Sequence, residues 1–128
     1  MKLKKIPETE LEIMQVIWSN PTPITTTQIK QKLEETRPWS QGAVQSLLSR
    51  LTERGFLKTG VLGKSKTFEP IVTEDEYLKV ESTSFFKRFG TKGSITGLVT
   101  ALYDNNAISE KDIEELDAFI EAIKKEGK

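Results

Sequence analysis

Apolar residues recur along this chain in two rhythms, and the switches between them divide it into elements. Val44, Leu47, Leu48 and Leu51 fall at i, i+3, i+4 and i+7, which on a helix of about 100° per residue gathers them into one core-facing stripe. Ser40 before the run is a natural N-cap and Gly55 after it a natural C′ residue, so both ends of this helix are punctuated. Upstream, Thr9 with Glu12 reads as a capping box opening a helix whose inner side carries Leu11, Met14, Ile17 and Trp18, ended by Asn20-Pro21. Thr25 with Gln28 is a second box, and Ile24 and Ile29 occupy the positions of a hydrophobic staple. Ile29 and Leu33 face inward, the helix closes near Thr36, and Arg37-Pro38-Trp39 turns the chain toward Ser40.

After Gly55 the period becomes strand-like. Phe56, Leu57 and Val61, then Phe68, Ile71 and Val72, make two short apolar runs separated by the turn formers Gly60, Gly63, Lys64 and Ser65, the pattern of a hairpin. Thr73 with Glu76 opens a further helix bearing Tyr77, Leu78, Val80, Phe85, Phe86 and Phe89, and Gly90-Thr91-Lys92-Gly93 breaks it. Ile95, Leu98, Val99 and Leu102 repeat the helical stripe up to Asp104-Asn105-Asn106. Ser109 caps a last helix with Ile113, Leu116, Phe119, Ile120 and Ile123.

This order predicts a mainly α protein with a small β hairpin. Three helices running into a hairpin form a winged helix-turn-helix domain over residues 1–72, followed by a three-helix region over 73–128. Three such helices make a poor core by themselves. Their stripes, with Leu98, Leu102, Leu116, Phe119, Ile120 and Ile123 as the contact residues, are expected to close against a second copy, and an isologous dimer would set two recognition helices about one DNA turn apart. The alternative is that they fold back on the winged helix of their own chain.

Opposite its apolar stripe the Ser40-to-Arg54 helix carries Gly42, Ser46, Ser49 and Glu53, flanked by Gln45 and Arg50. Gln pairs bidentately with adenine and Arg with guanine, and small residues let a helix sit close to base edges; the competing reading is an ordinary solvated face. Lys58, Lys64 and Lys66 sit on or beside the hairpin tip as phosphate clamps, or as guards of an exposed strand edge. The Lys2, Lys4 and Lys5 arm is either a further backbone contact or a frayed end. Trp18 and Trp39 are read as core residues.

Composition narrows the chemistry. In 128 residues there is no Cys and no His, which removes disulfides, thiolate nucleophiles, zinc sites and Ser-His-Asp triads and leaves only carboxylate or lysine catalysis. The acidic residues of 110–123 alternate with an apolar stripe and read as its solvated face, so no enzyme and no cofactor is expected. No apolar run approaches a spanning helix and no secretory core follows Met1 to Pro7, so a cytoplasmic protein without a membrane partner is expected. The net charge of +0 hides a division: residues 1–72 hold 11 Lys and Arg against 7 Asp and Glu, and residues 73–128 hold 8 against 12. A local basic patch suffices for a phosphate partner.

These residues also resemble a known family. Leu11-Glu12-Ile13-Met14 followed by Ile17-Trp18 is similar to its first helix, and Thr25 to Leu33 to its second. Trp39-Ser40, Val44, Leu47-Leu48, Arg50-Leu51 and Gly55-Phe56-Leu57 resemble the signature of the penicillinase and methicillin-resistance repressors (the BlaI/MecI/CopY family). Ile108-Ser109 with Ile113-Glu114-Glu115-Leu116 resembles the final helix of the antibiotic-resistance branch. The resemblance implies a homodimeric transcriptional repressor on a palindromic double-stranded DNA operator, with an upstream sensor or inducing factor, and DNA contacts at Gly42, Ala43, Gln45, Ser46 and Arg50. Three departures limit it. Relatives often carry basic or hydroxyl residues where this chain has Gly42-Ala43 and a basic one at Gln45, so the operator is not carried over. The absence of Cys removes metal sensing of the copper branch. Ala101-Leu102 stands where the antibiotic-responsive branch is cleaved at an Asn-Phe bond, so release by proteolysis is not carried over either. A winged helix used for protein–protein contact within a larger complex is the competing function.

Overall fold

The computed structural model describes residues 5–89 and 95–127. Lys2 and Lys4 of the basic arm and the Gly90-to-Gly93 break lie outside them. The order is α1 (Glu8–Trp18), β1 (Ile24–Thr25), α2 (Thr26–Leu33), α3 (Gln41–Glu53), β2 (Leu57–Leu62), β3 (Ser65–Pro70), α4 (Glu74–Phe89), α5 (Ile95–Asp104) and α6 (Glu110–Gly127). The chain forms two compact units, one ending at Thr83 and one starting at Ser84.

In the first unit, α1, α2 and α3 pack around Ile13, Met14, Ile17, Ile29, Val44, Leu48 and Leu51, all nearly inaccessible, with the sheet contributing Ile24, Leu57 and Phe68. The sheet is antiparallel in the order β1-β3-β2, with Ile24 across from Phe68, and Leu57 to Leu62 running against Pro70 to Ser65. Two strands were legible as a hairpin; the third was not. Ile24 is both the residue before the α2 cap and a strand residue, and two residues of β1 are too few to show a period of 2.

The expected punctuation holds at most helix ends. Thr25 and Gln28 form a reciprocal capping box, as do Thr73 and Glu76. Ser40 accepts from the Ala43 N–H, Ser109 and Asp112 cap α6, and Asn106 turns the chain after α5 with φ of 60°. Gly55 follows α3 at φ 88°, a left-handed conformation that costs an L side chain and not glycine. Gly63 at φ 64° begins the two-residue turn between Leu62 and Ser65, the position of glycine in a II′ hairpin turn.

Four local expectations are corrected. Thr9 does not cap α1: the N-cap is Pro7, with no side-chain bond, because the fixed φ and missing N–H of proline suit the start of a helix. Glu12 instead receives the Arg37 guanidinium at 3.1 Å. The buried side of α1 is Glu10, Ile13, Met14 and Ile17; Leu11 and Trp18 only flank the core. Gly60 is not in the turn but inside β2, across from Thr67, and Val61 and Ile71, counted among apolar runs, are exposed.

Two polar devices bind the first unit together. Glu10 is buried on α1 and receives Arg54, the C-cap residue of α3, so a carboxylate that would be costly alone is paired across the two helices. Tyr77 on α4 packs against Trp18 and Phe56 while its oxygen accepts the Ile6 N–H at 2.8 Å, and the Trp18 indole N–H donates to the Val72 carbonyl at 2.9 Å. These contacts carry the unit past Val72 into the first turns of α4. Burial pushes the Tyr77 hydroxyl above its ordinary pKa; the Ile6 N–H opposes this and the Glu81 carboxylate adds to it.

The second unit holds the end of α4 with α5 and α6. Neither α5 nor α6 buries a residue. Leu98 and Val99 are half-buried, whereas Leu102, Leu116, Phe119, Ile120 and Ile123 are exposed, Phe119 at 61%.

Candidate nucleic-acid interface

Val44, Leu48 and Leu51 root α3 in the core, and Arg54 pins its C-terminal end to Glu10. A helix anchored on one stripe must present the other. Gly42, Ala43, Gln45, Ser46, Ser49 and Arg50 are all exposed, so every residue expected to read DNA is available to it. A Cβ at Gly42 would meet nothing within 4 Å; the fold does not require glycine there, and its absence of side chain leaves room for another surface.

Gln45 and Ser49 share a cleft of about 480 Å³ with Lys66 and Phe68 of β3 and Thr26 at the start of α2. The structure therefore brings Lys66 to the polar side of α3, with its ammonium 5.7 Å from the Phe68 ring centre. Lys64 lies apart, in the turn that ends the hairpin. Lys58 is not at the tip: it pairs in register with Glu69 near the hairpin base, which corrects its expected place.

Ion pairing separates the cations of this unit. Lys30 and Lys32 face Glu34 and Glu35 on or just after α2, Arg37 faces Glu12, and Arg54 faces Glu10. Among the described residues, Arg50, Lys58, Lys64 and Lys66 have no carboxylate within ion-pair distance. Lys5 and Lys79 are likewise without one; the rest of this uncompensated charge lies on the exposed side of α3 and along the hairpin, a field suited to a polyanion.

Arg37 has a second contact, its guanidinium lying 4.1 Å over the Trp39 ring. Stacked on one side and paired to α1 on the other, it fixes the turn between α2 and α3 immediately before the Ser40 cap. Trp39 is buried, as expected of a core residue. Sequence reasoning did not single out Thr26 or Thr52, which also line the cleft, and gave Glu53 no role although it lines the same cleft as Lys66. Thr26 had one signal, its place directly after the Thr25 cap; that Glu53 and Lys66 line one cleft is a tertiary fact.

Comparison with known proteins agrees with this geometry. Residues 6–122 match the family described as the penicillinase repressor. The chain is 32% identical over 127 residues to the penicillinase repressor of Bacillus licheniformis, covering 99% of this chain and 98% of that one. It is 26% identical to the methicillin resistance regulatory protein MecI of Mammaliicoccus sciuri, over 90% of this chain and 92% of that one. Among solved structures, monomeric B. licheniformis BlaI in complex with the blaP half-operator superposes with a TM-score of 0.51 at 33% identity, covering 60% of this chain and 94% of that one. A three-helix unit with a wing, a third helix with an exposed polar side and a family match across nearly the whole chain lead to one conclusion: this protein belongs to the penicillinase-repressor family of winged-helix transcriptional repressors.

Proposed function

We propose that this chain represses transcription by binding a palindromic operator as a homodimer. The observation that carries the reading is the polar side of α3, wholly exposed on a helix whose other side is sealed in the core and bordered by cations without carboxylate partners. In this reading α3 enters the major groove with Gln45, Ser46, Ser49 and Arg50 toward base edges, and Gly42 and Ala43 allow close approach. Lys64 and Lys66 hold backbone phosphates and fix the register. Repression needs no chemistry: an occupied promoter excludes polymerase. Residues 1–72 supply DNA recognition and residues 73–128 the dimer, a division supported by the unburied apolar stripes of α5 and α6. The half-operator complex of the B. licheniformis relative supports the DNA partner.

The test is footprinting and gel shift on DNA upstream of the gene for this protein, against random duplex at two salt concentrations. Protection of a two-fold symmetric site, with half-sites a helical turn or a small multiple of it apart, is expected. Equal, weak binding to both duplexes would favour a winged helix that contacts protein.

A further inference from the structure

Glu53 is out of place on the side of the molecule that the reading above gives to DNA. It is the only acidic residue between Glu35 and Glu69, a stretch that holds Arg37, Arg50, Arg54, Lys58, Lys64 and Lys66, and a carboxylate among those cations repels the phosphates they would attract. It is exposed on α3 and lines the cleft of about 480 Å³ that Lys66 lines from β3. The two charges are opposite and share one cleft, yet among the described residues neither forms an ion pair with the other or with any other group. Buried Leu48 and Phe68 give the cleft an apolar floor, and Gln45 and Ser49 add an amide and a hydroxyl along its α3 side.

A carboxylate and an ammonium that share a cavity without pairing leave room between them for a ligand that carries the complementary charges. Resting on the DNA-binding reading above, we propose that this cleft binds a small zwitterionic amino acid, its ammonium on Glu53, its carboxylate on Lys66 and its carbon chain over Leu48 and Phe68. Charge-assisted hydrogen bonds at both ends set the class, and the volume is that of a small-molecule site. The same geometry couples the ligand to DNA. Lys66 cannot hold a ligand carboxylate and a backbone phosphate together, and a molecule beside Gln45 and Ser49 stands where base edges would come. The amino acid and the operator therefore exclude each other, and the reciprocity of linked binding makes the ligand an inducer that releases DNA without cutting the chain.

The test uses the full-length protein and the series glycine, β-alanine, γ-aminobutyrate and δ-aminovalerate, in which the two charges stand progressively further apart. Titration followed by amide NMR shifts, with no DNA present, should give saturable changes at Gln45, Ser49, Glu53 and Lys66 for one length above the rest. The N-acetyl and carboxamide forms of that compound, each with one charge removed, should bind about 10- to 100-fold more weakly. Glu53→Gln, at an exposed position, should leave the urea midpoint unchanged and weaken the amino acid by the same factor. In a gel shift on a duplex that wild type enriches from a randomised pool, the amino acid at about ten times its own Kd should raise the apparent Kd for DNA about tenfold. In Glu53→Gln the same concentration should leave DNA affinity unmoved, and without ligand the variant should hold DNA at least as tightly as wild type. No shift at the cleft with any length, equal binding of the blocked forms, an undiminished response in Glu53→Gln, or ligand binding that leaves DNA affinity unchanged each overturns the inference. If wild type enriches no duplex while the cleft still binds the amino acid, the DNA-binding reading fails and the site stands; if it enriches one and no amino acid shifts the cleft, the site alone falls.

Discussion

The two units of this chain spend their apolar residues differently. The first seals Ile13, Met14, Ile17, Ile29, Val44, Leu48 and Leu51 almost completely and ties its helices with buried or half-buried polar pairs. The second has equally regular stripes on α5 and α6 and buries none of them. Periodicity alone does not distinguish these cases: Leu98 and Leu102 are spaced like Leu47 and Leu51. What differs is closure, since a core needs elements on several sides and the first unit has three helices and a sheet to supply them. A stripe left open in one chain has its natural complement in the same stripe of a second copy.

The largest effect tests that contrast directly. Ile120→Asp on α6 is expected to give monomers by sedimentation, with the first unit still folded and operator affinity reduced about 10²- to 10⁴-fold as the second half-site contact is lost. Loss of folding without dissociation would mean that the stripe is closed within one chain. The next test moves to the sealed side: Leu48→Ala should destabilise the first unit by about 2–5 kcal/mol through the cavity it leaves, read as a urea midpoint independent of protein concentration. Phe119→Ala, by contrast, should shift a midpoint that does depend on concentration. A concentration-independent shift in both would erase the distinction between the units.

Arg50→Ala separates surface from core within the first unit. The side chain is exposed and has no carboxylate partner among the described residues, so its loss should leave stability within about 0.5 kcal/mol while costing about 1–3 kcal/mol of operator binding. Full affinity in a gel shift would remove Arg50 from the interface.

Local signals made much of this legible. Ser40, Thr25, Thr73, Ser109, Gly55 and Gly63 act through hydrogen bonds or dihedral preferences within a few residues, and the structure honours each of them. The exposed side of α3 was equally legible, because anchoring one stripe determines the other. What failed depended on distant partners. In the sequence Glu12 reads with Thr9, three residues away, but in the structure it pairs with Arg37, 25 residues on. Glu10, an acidic residue in a first helical turn, gave no sign of being buried, since its partner Arg54 is 44 positions away. Val61 belongs to an apolar run in the sequence yet is exposed, because apolar alternation does not say where a strand leaves the core. Lys66 could be placed near the tip, but not beside Gln45 and Ser49.

The smallest expected effect concerns how far the sealed unit extends. If α4 belongs to it through Tyr77, then Tyr77→Phe should cost about 1 kcal/mol at neutral pH, because the buried Ile6 N–H loses its acceptor. The same residue gives a pH signature. Burial raises the folded-state pKa of Tyr77, the Ile6 N–H partly opposing and Glu81 adding, so the folded chain holds that proton more tightly than the unfolded chain. Stability then falls as pH rises past about 10, where the unfolded phenol ionises and the folded one still resists. Below that pH the contribution is intact. Urea midpoints between neutral and strongly alkaline pH should therefore decline more steeply for wild type than for Tyr77→Phe. Parallel curves would mean that the hydroxyl ionises as freely folded as unfolded, and that the first turns of α4 are not held in the core of the first unit.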